Sequence, residues 1–508
     1  MKINQLRAGV VMTYLNIGIG SLIPFFYTPI MLRILGRPEY GLYSLANSVV
    51  GYLSLLSFGL GSTIVRYIAK YRAEGNKEYE EKVIGLFIVM YSFLAVFVMI
   101  GGMIISYNVE PIFHRGLTAE EIDKIAVLVR IMAFNTAVSF PISVFSSIIT
   151  AHERYVYRQA VNILSTIAAP CANLVALYLG MGSIGLSLVT TILQFAMLPL
   201  NIYYCFKVLK IRPRFRQLPT QLIKELIRFS FYIFIGSIVD MLFWSTNRVI
   251  LGMLTSTSVV AVYNIGATFN GMMTNLSTAF SGVLTPKVTV MVTQKASPKA
   301  LTELFVRVGR LQYYLIALAL SGFIVFGKDF IVLWAGAEYE QSFYIALLTL
   351  VPLSVPLIQN TGLSIVVAQN KHKFRSIVYL IIAICNAIST YLLVPSFGAI
   401  GAAMCAAVSY TIGQGIIMNT YYYKVIKINI PLFWKNIGVL SIVPGVLIIG
   451  FNAIMNQFQN ISWIILISLI VVYTLLYVLG MYFFIMNDYE KDIIRGPVRK
   501  IKFMVTRS

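Results

Sequence analysis

Long apolar segments, separated by short charged or turn-rich breaks, constrain the fold of this chain more than any other feature. A helix of roughly 20 apolar residues crosses a hydrocarbon core about 30 Å thick. Fourteen such segments run approximately over 9–33, 41–69, 83–107, 125–150, 158–180, 184–206, 229–253, 258–286, 311–327, 342–368, 376–396, 399–423, 436–456 and 461–486. Because lipid cannot hydrogen-bond to an open backbone, these segments predict an all-α polytopic membrane protein.

The composition agrees with a membrane protein, since 58% of the residues are hydrophobic and only 12% are charged, against roughly 25% charged in soluble proteins. The formal net charge of +21 would suggest a nucleic-acid partner if the chain were soluble. The bases instead cluster where apolar segments end, as in Lys70–Lys82 and Lys207–Arg228. This pattern favours anionic membrane lipids as partners, and no nucleic acid.

The distribution of lysine and arginine also predicts the topology. The N-terminus and every second loop hold 32 of the 40 Lys and Arg residues. Only Arg37, Arg115, Lys124 and Lys328 fall in the loops of the opposite side. Cytoplasmic loops are enriched in these bases, so both termini are expected in the cytoplasm.

The cysteines predict no special chemistry. Cys171, Cys205, Cys385 and Cys405 lie in apolar segments at no recurring metal-binding or redox spacing. We therefore expect small buried side chains and neither a metal site nor a cofactor.

Several short motifs recur in the same order about 217 residues further along the chain. The matched pairs are NIYYCFKVLKI at 201–211 with NTYYYKVIKI at 419–428, AHERYVYRQ at 151–159 with AQNKHKFRS at 368–376, and GSIG at 182–185 with GAIG at 398–401. Single matches mean little in membrane helices, but collinear matches indicate a duplication. Because six helices precede the second copy, both copies start from the same side of the membrane, as in a parallel repeat.

The duplication predicts four regions. They are a six-helix bundle over 1–211, a basic linker with an interfacial helix over 212–228, a second six-helix bundle over 229–428, and two further transmembrane helices with a basic tail over 429–508. Two pseudo-symmetric bundles that rock around a cavity give alternating access to the two sides of a membrane. We therefore expect a transporter, and the short outer connections argue against a membrane enzyme.

Polar side chains at helical spacing mark the helices that could face such a cavity, because polar groups facing lipid would be unsatisfied. One face of the eighth segment carries residues seven, four and three positions apart, and the second segment has a looser version. In the eighth segment these residues are Tyr263, Asn270, Thr274 and Ser277, and in the second segment they are Asn47 and Ser54. The alternative is that they join neighbouring helices rather than line a cavity.

Ionisable side chains inside apolar segments are costly and therefore indicate function. Four arginines, Arg33, Arg66, Arg130 and Arg248, outnumber the one acid well inside a segment, Asp240. This excess of bases favours an anionic substrate. Both features have an alternative, because arginines near helix ends can extend to the interface and Asp240 can hydrogen-bond to a neighbouring helix.

Two prolines, Pro24 and Pro29, lie within the first segment. Since proline removes a backbone donor, we expect a break in the first helix and a bendable element beside the cavity. A gating role is one interpretation of this break, and a static kink is the other.

Residues 32–76 resemble the polysaccharide transporter family, the Wzx-type flippases of lipid-linked oligosaccharides. The resemblance rests on the L-G-x-x-E-Y-G-L-Y-S motif and on the R-Y-I-A-x-Y-x-A-x-G motif at the end of this stretch. It continues through NRVILG at 247–252 and the predicted count of twelve helices in two bundles plus two further helices. It implies the fold of the multidrug/oligosaccharidyl-lipid/polysaccharide exporter superfamily, which is MATE-like. The implied function is to move an undecaprenyl-diphosphate-linked oligosaccharide from the inner to the outer leaflet of a bacterial-type cytoplasmic membrane.

The basic bias agrees independently with a diphosphate, which arginine binds well. One residue departs from the family, because relatives often carry Asp-Arg where this chain has Asn247 and Arg248. Asp240 is then the remaining candidate for coupling to Na⁺ or H⁺. Other glycan-assembly proteins are further possible partners.

Two other functions stay open at this stage. A cation-coupled multidrug exporter of the same superfamily would favour acids in its cavity, and Asp240 alone supports it. A non-transporting scaffold of a glycan-assembly complex is the second alternative. We expect no enzymatic activity for any of the three.

Overall fold

The computed structural model describes residues 5–58, 60–282, 285–294, 296–369, 371–458, 461–492 and 495, and within these ranges every regular element is a helix. The helices are α1 Gln5–Gly51, α2 Leu60–Ala73, α3 Lys77–Tyr107, α4 Val109–Phe113, α5 Ala119–Ala151, α6 Tyr155–Tyr178, α7 Gly182–Tyr203, α8 Gln221–Trp244, α9 Thr246–Leu254, α10 Thr257–Gly282, α11 Thr285–Thr293, α12 Pro298–Ala335, α13 Gln341–Ile358, α14 Asn360–Ala368, α15 His372–Tyr410, α16 Asn419–Tyr421, α17 Ile430–Leu440, α18 Ile442–Met455 and α19 Trp463–Gly480.

Ten helical stretches of the described chain are long and apolar enough to cross a membrane. Two of them, Ala8–Ala73 and Lys373–Ile426, each contain two of the segments predicted from the sequence. In both stretches a glycine with non-helical dihedral angles, Gly36 or Gly398, separates the two parts. A further pair of helices, bent by 41° between Trp244 and Thr246, would form an eleventh span.

The expected break at Pro24 and Pro29 is wrong in position. The backbone of α1 keeps helical dihedral angles through both prolines, and the interruption lies at Gly36, with φ 74°. The fixed φ of proline is compatible with a helix, and a membrane helix tolerates the lost hydrogen bond where neighbouring groups satisfy the carbonyl. A gating role for the two prolines therefore stays a prediction.

The second predicted segment is not one continuous helix. After α1 ends at Gly51, residues Tyr52–Ser57 form a 3₁₀ turn, Phe58 adopts a left-handed conformation with φ 48°, and α2 starts at Leu60. The apolar run over 41–69 hid this interruption because hydropathy does not report backbone dihedral angles. Ser54 consequently lies in the 3₁₀ turn rather than in an α-helix.

The described chain divides into two compact units. The first unit comprises the residues up to Asn264 together with Ala383–Ala402, and the second comprises Ile265–Ile382 together with the residues from Ala403 onwards. In the first unit, α3 packs along α5 and α1 packs along α6. The four regions derived from the sequence duplication follow a different criterion and stay a prediction.

The duplicated K-V-x-K-I tail ends a helix in the same way in each unit. In the first unit a π-helical turn over Tyr204–Val208 precedes Lys210, which has φ 55°, and the Ile211 N–H donates to Cys205 O at 3.1 Å. In the second unit the turn spans Tyr422–Ile426, and Lys427 has φ 65°. There the Ile428 N–H donates to Tyr422 O at 3.0 Å, again across six positions of the chain.

Aromatic pairs and glycines repeat as well. The rings of Tyr157 and Tyr204 stack with centroids 3.7 Å apart in the first unit. The rings of Phe374 and Tyr421, 217 positions later, stack at 4.4 Å in the second. Gly182 and Gly398 both have φ 55°, a conformation that favours glycine because it has no Cβ. The sequence duplication is therefore also a duplication of local structure.

A buried ion pair anchors the end of the chain within the second unit. The guanidinium of Arg310 on α12 donates to both carboxylate oxygens of Glu490, at 2.6 and 2.8 Å, and the Tyr314 hydroxyl donates to the same carboxylate at 2.8 Å. The side chains of Arg310 and Glu490 are 11% and 1% exposed. Burial alone would raise the pKa of Glu490, but the hydrogen bonds from Arg310, the Asn487 backbone and Tyr314 lower it below its ordinary value.

Replacing Arg310 should destabilise the protein strongly. Arg310→Gln leaves the Glu490 carboxylate buried without its cation, so we expect a loss of roughly 3–5 kcal/mol in the free energy of unfolding. The measurement is thermal unfolding of the purified protein in detergent. Arg307→Gln is the matched control, because Arg307 is exposed and its guanidinium carbon lies 3.2 Å from the centroid of the Tyr489 ring.

The same pair should make stability dependent on pH. Since the pKa of Glu490 is lowered in the folded state, its stabilising effect is complete at neutral pH and is lost as the pH falls through that pKa. The difference between the unchanged protein and Arg310→Gln should therefore shrink in acid. Equal destabilisation by Arg307→Gln, or a difference that does not change with pH, would contradict the assignment.

Candidate functional site

A break between two helices of the first unit creates the site. The helix α8 ends at Trp244 and α9 begins at Thr246, with a 41° bend between them. Such a break leaves backbone carbonyls without their helical partners, and within a membrane the protein itself must satisfy them. Here Arg248 does so, because its Nε and Nη2 donate to Trp244 O at 3.2 and 2.6 Å.

The second edge of the Arg248 guanidinium connects three helices. Its Nη1 donates to Asn264 Oδ1 at 3.0 Å, and the Asn264 amide donates to the Tyr40 hydroxyl at 2.6 Å and to Ser44 Oγ at 3.1 Å. Arg248 is half-buried, whereas Tyr40 and Ser44 are buried. In the described chain the hydrogen-bond partners of Arg248 are a carbonyl and an amide, so no ion pair cancels its charge.

Asn247, the neighbour of Arg248, forms a neutral and fully buried centre. Its Nδ2 donates to the Tyr263 hydroxyl at 3.0 Å and to Ala402 O at 3.4 Å. Its Oδ1 accepts from Asn386 Nδ2 at 3.1 Å and from Thr390 Oγ1 at 3.3 Å. An amide suits this place because it donates and accepts at once, whereas a carboxylate could not donate to the Ala402 carbonyl.

The connection from α9 to α10, which follows Arg248 in the chain, makes close backbone contacts with two glycines. A Cβ on Gly41 would overlap the Thr257 carbonyl oxygen, and a Cβ on Gly116 would overlap the Gly252 carbonyl oxygen. The Thr257 hydroxyl also donates to Glu121 Oε1 at 2.6 Å. We call these close approaches of Gly41 and Gly116 to the α9–α10 connection the clamp.

We call Arg248, Asn247 and their hydrogen-bond partners the Arg248 cluster. Of the four predicted arginines, the structure places Arg248 alone among these described residues. Arg33 on α1 and Arg66 on α2 are exposed, as is Arg130 on α5. Arg130 donates from Nε to Ser106 Oγ at 2.7 Å and lies 5.9 Å from the Tyr107 ring centroid. A shared anion site of all four arginines stays a prediction.

The predicted polar residues of the first unit divide between two environments. Asn47 and Ser54 are exposed, and Ser54 Oγ donates to Gly51 O at 2.6 Å. Tyr263 is buried and bonds to Asn247. Asp240 on α8 is exposed, and its coupling role stays a prediction. A lining role is thus compatible with the exposure of Asn47, Ser54 and Asp240.

Two of the three predicted polar residues of α10 in the second unit connect this helix to another one. Asn270 is buried and accepts from Thr349 Oγ1 at 3.0 Å, while Thr274 Oγ1 donates to Asn270 O. Ser277 is buried and donates to Leu357 O at 2.8 Å. In this structure the alternative that these side chains connect helices accounts for Asn270 and Ser277, and their lining role stays a prediction.

Sequence reasoning missed most partners of the cluster. Asn264 follows the predicted Tyr263 directly, and Tyr40 lies inside the quoted E-Y-G-L-Y motif. Asn386 and Thr390 are four positions apart in an otherwise apolar segment, a spacing that puts two polar side chains on one helix face. This spacing is the sequence signal that could have predicted Asn386 and Thr390 as site residues.

Among the described residues, no three His, Cys, Asp or Glu side chains come together in a group that could hold a metal ion. The chemistry of the cluster is instead that of one partly buried guanidinium, several amides and several hydroxyls. Such groups bind oxyanions and hydroxyl groups by hydrogen bonds.

Comparisons with solved structures show which fold the chain shares. The chain is similar to the lipid II flippase MurJ in an inward closed conformation, with TM-score 0.71, 14% identity, and coverage of 96% of this chain and 99% of that one. It is also similar to an inward-facing structure of a multidrug resistance MATE family transporter of the MOP superfamily, with TM-score 0.63, 13% identity, and coverage of 84% of this chain and 99% of that one. For an outward-facing structure of such a transporter the TM-score is 0.58, with 13% identity and coverage of 84% of this chain and 96% of that one.

The fold is therefore the all-α membrane fold that these flippases and exporters share, and the predicted fold class is confirmed. Residues 6–291 match the family described as "Polysaccharide biosynthesis protein". The chain belongs to this family, as its sequence resemblance indicated. No curated protein sequence matches it.

Removing the Asn247 side chain should destabilise the first unit. Asn247→Ala removes the buried hydrogen bonds to Asn386, Thr390 and the Ala402 carbonyl, so we expect a loss of about 1–3 kcal/mol in the free energy of unfolding. Thermal unfolding in detergent measures it. Asn47→Ala is the control, because Asn47 is exposed on α1. If both variants unfold at the same temperature as the unchanged protein, the buried centre contributes no stability.

Proposed function

We propose that this protein is a flippase that moves an undecaprenyl-diphosphate-linked oligosaccharide from the inner to the outer leaflet of a bacterial-type cytoplasmic membrane. The observation that carries the proposal is Arg248, a partly buried guanidinium at a helix break whose hydrogen-bond partners among the described residues are neutral. A diphosphate supplies the oxygen acceptors and the negative charge that such a group binds. Membership of the polysaccharide biosynthesis family supports a glycan substrate.

Alternating access gives the clamp its role in this proposal. The contacts of Gly41 and Gly116 with the α9–α10 connection close one end of the first unit, and that end must open for the substrate to leave. The positive-inside bias puts this closed end on the outer side, with both termini in the cytoplasm. The isoprenoid tail stays in the lipid while the headgroup passes through the protein.

Coupling and partners complete the proposal. Exposed Asp240 is the candidate for coupling to Na⁺ or H⁺, because Asn247 carries no charge at the position where relatives often have an acid. Anionic lipids and other glycan-assembly proteins are the proposed partners, with no nucleic acid. The protein makes and breaks no covalent bonds in this scheme.

A cation-coupled multidrug exporter is the second candidate, and exposed Asp240 is the observation that favours it. A cationic drug would be repelled by Arg248 and attracted by Asp240. A non-transporting scaffold is the third, and it makes no use of either charge. One transport assay with two substrates separates these functions.

Transport should depend on the Arg248 charge. Purified protein in liposomes should move a fluorescent lipid-linked oligosaccharide between leaflets, and Arg248→Gln should slow this movement about tenfold or more, because charge-assisted hydrogen bonds to phosphate are lost. Arg248→Lys should retain part of the rate. Arg115→Gln, an exposed base outside the cluster, is the control and should transport normally.

Three outcomes would contradict the proposal. Movement that stays intact when Arg33→Ala, Arg130→Ala and Arg248→Ala are combined excludes the anion site. Export of a cationic dye that fails with Asp240→Asn, without oligosaccharide movement, favours the exporter. A well-folded protein that moves neither substrate favours the scaffold.

A second experiment tests the clamp. In a variant with the four native cysteines replaced by serine, the thiol introduced by Thr257→Cys should react slowly with a maleimide in nanodiscs, because Thr257 is buried. Adding Gly41→Val should accelerate labelling about tenfold or more by disfavouring the closed arrangement. Gly18→Val is the control, since a Cβ there meets open space. Equal labelling rates in all variants would show that the clamp does not open and close.

A further inference from the structure

A second polar site lies inside the first unit, between α5, α6 and α7. It is a cavity of about 340 Å³. This volume falls within the range of roughly 300–1,000 Å³ that small-molecule sites occupy. None of the described residues that line it belongs to the Arg248 cluster, so it is a separate site.

The lining combines one charge with many neutral hydrogen-bonding groups. Arg158 supplies the charge, and Asn162, Gln194 and Asn201 supply amides from α6 and α7. Hydroxyl groups come from all three helices, and aliphatic side chains form the remaining wall. Among the described residues that line the cavity there is no Asp or Glu, so the cavity favours an anion over a cation.

Arg158 lines the cavity, and its guanidinium has one donor that the described residues do not use. Its Nη1 donates to Thr150 Oγ1 at 2.7 Å. Its Nε is buried and has no hydrogen-bond partner among the described residues, and the same holds for Gln194 Oε1. The Nε edge of a guanidinium forms two parallel hydrogen bonds with a carboxylate or phosphate, and an amide oxygen accepts from a hydroxyl group. Unsatisfied buried polar atoms of this kind call for a ligand or water.

The second copy of the duplication has an aromatic ring over the matching arginine. Arg375 is the counterpart of Arg158, 217 positions later, and the Tyr379 ring covers it with a centroid 4.3 Å from the guanidinium carbon. Tyr379 is buried. The first copy has the smaller Asn162 at the matching position, and Asn162 lines the cavity together with Arg158.

We propose that the cavity at Arg158 binds a hydroxylated oxyanion of sugar size, either a sugar acid or a sugar phosphate. The oxyanion pairs with the Nε edge of Arg158, and the hydroxyl groups bond to Asn162, Gln194 and the serine and threonine side chains. The ligand is either a free cytoplasmic sugar or part of a transported glycan. Binding at this site does not depend on the flippase proposal.

Equilibrium binding to the full-length protein in nanodiscs tests this site. The probes are radiolabelled glucose 1-phosphate and glucuronate, with glucose as the neutral reference of the same size. We expect both anions to saturate one site and glucose to bind about tenfold or more weakly, because it lacks the charge-assisted pair. Absence of saturable binding of either anion would overturn the proposal.

Matched variants locate the site. Arg158→Gln should reduce affinity for both anions about tenfold or more, whereas Arg158→Lys should reduce it less because the charge remains. Arg154→Gln removes an exposed base four residues away that does not line the cavity, and it should bind normally. Equal losses in Arg154→Gln and Arg158→Gln would indicate surface charge only and contradict the site.

A cavity-filling variant keeps the test decisive if Arg158→Gln does not fold. Ala169 lines the cavity, and Ala169→Leu should abolish anion binding by occupying its volume without changing any charge. Normal binding by Ala169→Leu would overturn the location. Each variant is first checked for an unchanged unfolding temperature without ligand.

The source of the ligand follows from one comparison. If Arg158→Gln loses anion binding and leaves oligosaccharide movement unchanged, the ligand is a free sugar, and the site is regulatory. If both are lost, the site binds part of the transported glycan. Failure of oligosaccharide movement in the unchanged protein, with anion binding intact, would overturn the flippase proposal alone.

Discussion

Hydrocarbon offers no hydrogen-bond partners, so every interruption of a helix in this chain must be satisfied by the protein itself. The break at Ser245 is the place where this constraint acts most visibly. It frees the Trp244 carbonyl, and Arg248 is held against that carbonyl and against Asn264. The functional candidate therefore arises from a backbone requirement, because the same hydrogen bonds that satisfy the break also position the guanidinium.

Two arginines illustrate how partners decide the role of a buried charge. Arg310 is paired with the Glu490 carboxylate, so its charge is cancelled and it anchors the end of the chain. Among the described residues, Arg248 bonds to a carbonyl and an amide and not to a carboxylate, so its charge remains available for an anion. Asn247 beside it contributes a neutral amide that gives and accepts hydrogen bonds without changing this balance. The first arrangement provides stability, and the second provides a site.

The duplication conserves backbone structure and varies side chains. Both copies close their final helix with a π-helical turn and a left-handed lysine, and both stack an aromatic pair against it. They differ where the arginine of each copy is either covered, by Tyr379, or left facing a cavity, beside Asn162. The two copies therefore keep one local backbone frame and differ in the side chain beside their matching arginines.

The sequence by itself determined the membrane class, the approximate spans, the duplication and the family, because hydropathy, collinear motifs and the L-G-x-x-E-Y-G-L-Y-S core are local properties of the chain. It also singled out Arg248 and Tyr263 as candidate site residues. Only the tertiary structure decided that the break in α1 lies at Gly36 rather than at Pro24 and Pro29, since dihedral angles depend on surrounding contacts. It alone joined Arg248 to Tyr40 through Asn264, and it alone opened the cavity at Arg158, because contacts between residues distant in sequence form only when the helices pack.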